Sequence, residues 1–236
     1  VVGIFIGTVA FALIAPLVGG LIDGLDRKLS ARMQGRVGPR LLQPFYDVAK
    51  LLRKAPASVN TMDDTYMACA LIFTVVGGGI FVSGSNTLLC AFMVTLAAIF
   101  VVLASASTQS PFAQVGADRE LLQVMSYEPA VLLMSVGLYL ATDSFDSIAV
   151  TGQSAPIIVY SAPIFLALLA VLTIKLRKHP FDLSTSHHAH QEMVKGLTTE
   201  FNGVTLLIVE VSHWYENVFL MGIIALFFIN GKPWSY

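Results

Sequence analysis

The chain has 236 residues, 56% of them hydrophobic and only 12% charged, with a formal net charge of −1. A soluble domain of this length needs far more charge to cover its surface, so that class is excluded, and a balance this close to neutral names no nucleic acid as partner. The alternating strands of an outer-membrane barrel are absent, which leaves a helical integral membrane protein.

Apolar runs of about 17–25 residues recur, the length that crosses a hydrocarbon core of roughly 30 Å at about 1.5 Å per residue. They predict an all-α, polytopic transmembrane helical bundle in one integral membrane domain, 1–236, with spans at about 1–22, 66–83, 87–106, 121–141, 156–174 and 200–229. The first opens directly at Val1 without a charged n-region or cleavage site, so it reads as a span with an incomplete start and not as a signal peptide. The passage after it, "ARMQGRVGPRLLQPFYDVAKLLRK" at 31–54, carries six Arg or Lys in 24 residues. Its Gly and Pro interrupt a helix. Beyond them, 41–53 sets Leu41, Leu42, Phe45, Val48, Ala49, Leu51 and Leu52 near one side, with Asp47, Lys50 and Arg53 on another. That pattern predicts a cytoplasmic amphipathic helix lying in the interface plane. At this stage it suits either an anchor on anionic lipid or a platform for a soluble partner.

In the second span, Gly77, Gly78 and Gly79 mark a point of close packing or flexibility. Cys69 and Cys90 lie far apart inside apolar spans, too few for the four thiolates of an iron–sulfur cluster, so no such cluster is expected in this chain. Eight of the fourteen basic residues fall in 23–64, and Lys175, Arg177, Lys178 and Lys195 lie in or beside 175–199. Four spans separate these segments, so both occupy one side, the cytoplasm by the positive-inside rule, with 107–120 as a third cytoplasmic loop. The connection 142–155 carries Asp143 and Asp146 and no Lys or Arg, as an outside loop should.

Acids within apolar spans are functional candidates, because a lone carboxylate in hydrocarbon costs several kcal/mol. Glu120, Glu128, Glu200, Glu210 and Glu216 qualify. Glu120 and Glu128 are about 12 Å apart along a helix and within roughly 80° of one face, and Glu200 and Glu210 are about 15 Å apart on the last helix. These spacings suit a water-bridged line inward. Glu120 also has an ordinary explanation, as an acid at a helix start beside Asp118 and Arg119. His213 is the helical neighbour of Glu210 and Glu216, as a structural hydrogen-bonding group or a relay member. Pro129 would loosen the helix beside Glu128 and admit water. His187, His188 and His190 have no i,i+4 pair and no Cys beside them, so a polar contact surface explains them better than zinc.

Three passages in order carry a resemblance. "ARMQGRVGPRLLQPFYDVAKLL" (31–52) resembles the loop after the first helix of the quinone-chamber membrane subunit of respiratory complex I, shared with group 4 NiFe hydrogenases. "ELLQVMSYEPAVLL" (120–133) resembles that family's Ser-Tyr-Glu helix, and "HPFDLSTSHHAHQEMVKGLTTEFNG" (179–203) its Pro-Phe-Asp loop. The likeness covers about 25–217. "PFDLSTSHHAHQE" with "HWYEN" (213–217) is similar to the energy-converting, ferredoxin-linked hydrogenases, since complex I chains usually carry a Glu-rich loop where Ser and His stand here. One or two C-terminal helices usual in the family are missing after Tyr236.

The resemblance implies a non-catalytic subunit of a membrane-bound hydrogenase complex in a prokaryotic plasma membrane. It would link ferredoxin-dependent hydrogen formation to proton or sodium translocation, with no cofactor in this chain. A NiFe centre and 4Fe-4S clusters would reside in partner subunits: a NiFe large subunit, an iron–sulfur small subunit and a ferredoxin-like subunit, beside an antiporter-like membrane subunit and lipid. It turns the basic platform into a docking floor, with Arg27, Arg32, Arg36, Gly38, Pro39 and Arg40 joined by Pro180, Phe181, Asp182, His187, His188 and His190. Arginine suits this because its forked guanidinium grips carboxylates and carbonyls. Asp182 reads more readily as a loop-shaping cap than a relay member. The resemblance also implies a relay of acids through Glu128 and Glu200, with Glu200→Gln expected to spare hydrogen formation while impairing ion transport. Two other readings stand beside it, a quinone-chamber subunit of a complex I-type NADH/quinone oxidoreductase and a stand-alone ion transporter.

Overall fold

The computed structural model describes residues 2–54, 61–108, 110–153, 155–176 and 196–229. Among them run α1 (Val2–Met33), α2 (Gln43–Leu52), α3 (Thr61–Val82), α4 (Thr87–Ser107), α5 (Pro111–Thr142), α6 (Ser147–Thr151), α7 (Ile158–Lys175) and α8 (Val204–Phe228). Six of these are long and apolar enough to cross a membrane, namely α1, α3, α4, α5, α7 and α8. The expected all-α polytopic bundle is the observed architecture.

Two helices outrun the expected spans. α1 continues to Met33, about 48 Å at 1.5 Å per residue, and takes up the first part of the expected loop 23–64. Asp23, Arg27 and Lys28 end the apolar run but not the helix, because nothing in them breaks backbone pairing. The stop is Gly35, whose φ of +70° lets the Arg36 N–H donate back to the Ala31 carbonyl at 2.8 Å. α5 begins at Pro111, after an extended Ser110, so the expected loop at 107–120 shrinks to a few residues. Proline at a first helical turn is a start signal, and it outweighs the acidic cluster further on. Pro129 sits inside an uninterrupted helix, whereas α7 kinks at Ser161 just before Pro163.

The buried face of α1 runs through Gly7, Phe11, Ala15, Gly19, Gly20 and Gly24, small residues apart from Phe11, which lets neighbouring backbones approach. A methyl group on Gly19 would stand 2.5 Å from the Trp214 carbonyl oxygen on α8, and one on Gly24 would stand 2.0 Å from that of Leu41. The packing expected at 77–79 is present, with Gly78 against the Phe11 ring and Gly79 against Thr8.

α2 is seated on the bundle. The Phe45 ring packs on Gly20 and lies 5.2 Å from the Trp214 ring, while the Arg27 guanidinium bridges Asp23 (2.8 Å) and Asp47 (3.0 Å). Its apolar side is thus divided, Pro44 and Phe45 facing the bundle while Leu42, Tyr46 and Leu52 stay exposed.

The connections gather at two ends. At one, the Ser107 and Thr205 hydroxyls donate to Asp63 and Asp64 at the start of α3, and Gly116 of α5 packs on the helical turn 196–199. The basic end of α1, α2 and the end of α7 belong there too, as four intervening spans require. At the other end, Asn86 caps α4 and pairs with Asp146 ahead of α6.

Candidate functional site

Lys175 closes α7, and its ammonium meets Glu216 of α8 with Nζ 3.0 Å from Oε1. The pair is well covered, with side chains 5% and 21% exposed. The second carboxylate oxygen of Glu216 lies 3.8 Å from Nδ1 of His213, one turn earlier on α8. On its other side the Lys175 ammonium stands 4.7 Å from the centre of the buried Tyr127 ring of α5, a cation–π distance. Neither charge could sit there alone, and the geometry gives each an opposite partner.

Beside the pair is a cavity of about 40 Å³, lined also by Glu120, Gln123 and Ser212. That is room for about two or three waters. The Ser212 hydroxyl and His213 Nε2 are buried there without a hydrogen-bond partner among the described residues, so the walls are polar as well as roomy. Two carboxyls, an imidazole, a phenol and an ammonium around a water-sized space make a site that can accept, hold and pass protons.

The structure divides the candidate acids. Glu120 and Glu216 face this cavity, together with His213. Glu120 lies nine residues after Pro111, well beyond the first turn, so the helix-start explanation does not hold for it. Glu210 does not line this cavity, and of the two expected neighbours of His213 it is Glu216 whose carboxylate lies 3.8 Å from the imidazole. Glu128 is half-buried on α5, and its neighbour Tyr127, not Glu128, lines the cavity. Glu200 is exposed, ahead of Gly203 at φ +56°, and so is not on the helix that carries Glu210. The expected line of paired acids on two helices is replaced by one cluster.

Of the residues expected to dock a soluble arm, Arg32, Arg36, Pro39 and Arg40 are exposed around the turn after α1, and Gly38 packs against Lys28 and Ala31. Arg27 is committed within the chain to Asp23 and Asp47. Pro180, Phe181, Asp182, His187, His188 and His190 lie outside the described residues. Sequence reasoning missed Lys175, Tyr127, Gln123 and Ser212. Lys175 was absorbed by the positive-inside argument, and Tyr127 was passed over for the acid beside it in Ser-Tyr-Glu.

"HWYEN" carries much of this arrangement. His213 and Glu216 face the cavity, Trp214 holds Phe45 of α2, and the Tyr215 hydroxyl donates to the Ala12 carbonyl of α1 at 2.7 Å. One stretch of α8 therefore joins the charged cluster to the platform.

Comparison with known proteins agrees with this architecture. Hydrogenase-4 component C of Escherichia coli (strain K12) is 30% identical, over 94% of this chain and 75% of that protein. An NADH-quinone oxidoreductase subunit from Rubrobacter xylanophilus is 27% identical, over 91% of this chain and 71% of its own length. A chain from the membrane-bound sulfane sulfur reductase, an archaeal respiratory membrane complex, shares the fold with a TM-score of 0.81 at 22% identity, covering 98% of this chain and 80% of that one. The NADH dehydrogenase family matches residues 6–236, almost the whole chain, and this protein belongs to that family.

Proposed function

We propose that this chain is the membrane anchor and coupling subunit of an energy-converting hydrogenase complex, a non-catalytic part of an oxidoreductase. The reading is supported by the likeness to hydrogenase-4 component C together with the Ser/His-rich "PFDLSTSHHAHQE". The observation that carries it is the Lys175–Glu216–His213 cluster beside a polar, water-sized cavity. In this reading the basic end faces the cytoplasm, where the exposed Arg32, Arg36 and Arg40 meet a soluble arm holding the NiFe centre and 4Fe-4S clusters. Ferredoxin would supply that arm with electrons, and an antiporter-like membrane subunit would stand beside this chain.

The chain's own part is electrostatic. A proton arriving at Glu216 through Glu120 and the cavity waters neutralises the carboxylate and frees the Lys175 ammonium. Departure of a proton restores the pair. The pair is held by about 4 kcal/mol, the attraction of opposite charges at about 4 Å in surroundings of intermediate polarity, and a change of charge in the docked arm would bias that balance over a longer range and more weakly.

Glu216→Gln in the purified complex, together with the charge-free double variant Lys175→Met/Glu216→Gln that leaves no lone buried ammonium, tests this. Hydrogen formation from an artificial electron donor should stay within about twofold of native, while ion uptake into vesicles falls about tenfold, the loss of one decisive charge interaction. Equal loss of both activities would refute the coupling role. A second reading, a quinone-chamber subunit of a complex I-type enzyme, is favoured by the likeness to the NADH-quinone oxidoreductase relative. The chains that copurify decide between them, a NiFe large subunit for the first and an NADH or quinone dehydrogenase module for the second.

A further inference from the structure

A second cavity, of about 20 Å³, lies directly behind the first. Val94 and Lys175 belong to both linings. On every shared helix the second cavity is deeper, further from the basic end: Val131 follows Tyr127 on α5, Val171 precedes Lys175 on α7, and Phe219 follows Glu216 on α8. Its volume would admit about one water, but a buried water needs two to four polar partners. The walls are hydrocarbon. Of the two polar groups in its lining, the Thr95 hydroxyl gives its proton to the Ala91 carbonyl at 3.1 Å and keeps only an acceptor oxygen, and the Lys175 ammonium is drawn to Glu216 in the first cavity. At the opposite end a surface hollow of about 320 Å³ takes Gly222, Ala225, Leu226 and Ile229 of α8 into its wall, beginning level with Ile223, with Ser83, Ser147 and Thr151 beside them. Three spaces are thus stacked along the bundle, polar, dry and open.

We propose that the dry cavity is a seal: the polar path from the basic end stops at Lys175 and Val94, and the hydrocarbon space behind them keeps it from joining the hollow at the far end. The inference rests on the coupling reading, and it adds where the path is blocked and by what. A charge loaded on the cluster then cannot run straight across the membrane through this chain, and must leave sideways or return. The seal works by withholding hydrogen-bond partners and not by lack of room. Hydroxyls of unchanged shape should therefore open it.

The test is the passive proton conductance of the whole complex in proteoliposomes under an imposed pH gradient, read by a trapped pH dye with no electron donor present. The double variant Val131→Thr/Val171→Thr adds two hydroxyls to the dry cavity, and Val94→Ser thins the partition. Each should raise the leak about fivefold or more, the scale of one gained hydrogen-bond partner for a buried water. Val136→Thr, on the exposed side of α5, should leave it at the native level. Ala91→Val, which fills the cavity, should change neither leak nor driven translocation. Assembly is checked by copurification, so a variant that fails to assemble leaves the other two to decide. Native conductance in the assembled interior variants overturns the proposal, as does loss of translocation in Ala91→Val with turnover retained. Because the leak assay needs no turnover, it stands apart from the hydrogenase reading, which fails instead if no NiFe large subunit copurifies.

Discussion

At the end where α3 meets α4 and α5 meets α6, the helices are tied by neutral groups. The Thr87 hydroxyl donates to the Phe145 carbonyl at 2.8 Å and the Ser147 hydroxyl to that of Phe81 at 3.1 Å, while the Asn86 side chain caps α4 itself. In the half that leads to the other end, the ties are charges: Glu216 with Lys175 and His213, Arg27 with Asp23 and Asp47, and hydroxyls on Asp63 and Asp64. Neutral ties hold a geometry and are indifferent to an approaching charge. Charged ties hold one only while the balance of charge lasts, and so they respond when it changes. The molecule keeps one end fixed and makes the other sensitive.

The largest effect should come from breaking that balance at its most buried point. Lys175→Met leaves Glu216 facing an apolar cap, and an uncompensated buried charge costs about 3–5 kcal/mol. The subunit should melt well below native in detergent. Removing both charges in Lys175→Met/Glu216→Gln should recover most of the loss, since a well-packed neutral pair is often as stable as the ionic one. A double variant as unstable as the single one would show that the pair is scaffolding of a more specific kind.

At the far end the same logic predicts less. Thr87→Val keeps the shape and loses one hydrogen bond, about 1 kcal/mol, while the Phe145 carbonyl keeps the Thr87 backbone N–H at 2.8 Å. Melting should shift slightly, and ion translocation by the complex should be unchanged. A translocation defect there would erase the distinction between the two ends.

How much of this was legible in the sequence follows from the same contrast. Hydropathy counts methylenes, so it placed six spans well. It could not find where α1 ends, because charged residues leave the membrane without leaving the helix, and the stop at Gly35 is a backbone conformation. The acids were found by type, since a carboxylate in an apolar run stands out anywhere. Their grouping depended on which faces of α5, α7 and α8 meet, and no local pattern encodes that. Glu120 and Glu216, far apart in sequence, line one cavity, whereas Glu128 sits beside Tyr127 and points elsewhere on α5. Lys175 was the costliest miss. At the mouth of a span a lysine is the expected topological marker, and only the packing of α7 on α8 shows it turned inward.

The smallest effect concerns the platform. Arg27 is 38% exposed and Asp47 47%, so their bridge is screened by solvent and worth at most about 1 kcal/mol. Arg27→Gln should therefore barely move the melting point. It should still change how α2 sits, because Arg27 links α2 to α1, while the remaining hold is Phe45 against Gly20 and Trp214. Hydrogen exchange along α2 should quicken in the variant, and native α2 should show the same quickening when salt is raised, since added ions weaken the same bridge. If exchange is unchanged by both, the apolar plug alone seats α2, and the sensitivity argued for this end stops at the Lys175 cluster without reaching the platform. If both quicken it equally, the platform is tuned by charge, and a partner docking on Arg32, Arg36 and Arg40 could shift it toward or away from the helix that carries Glu216.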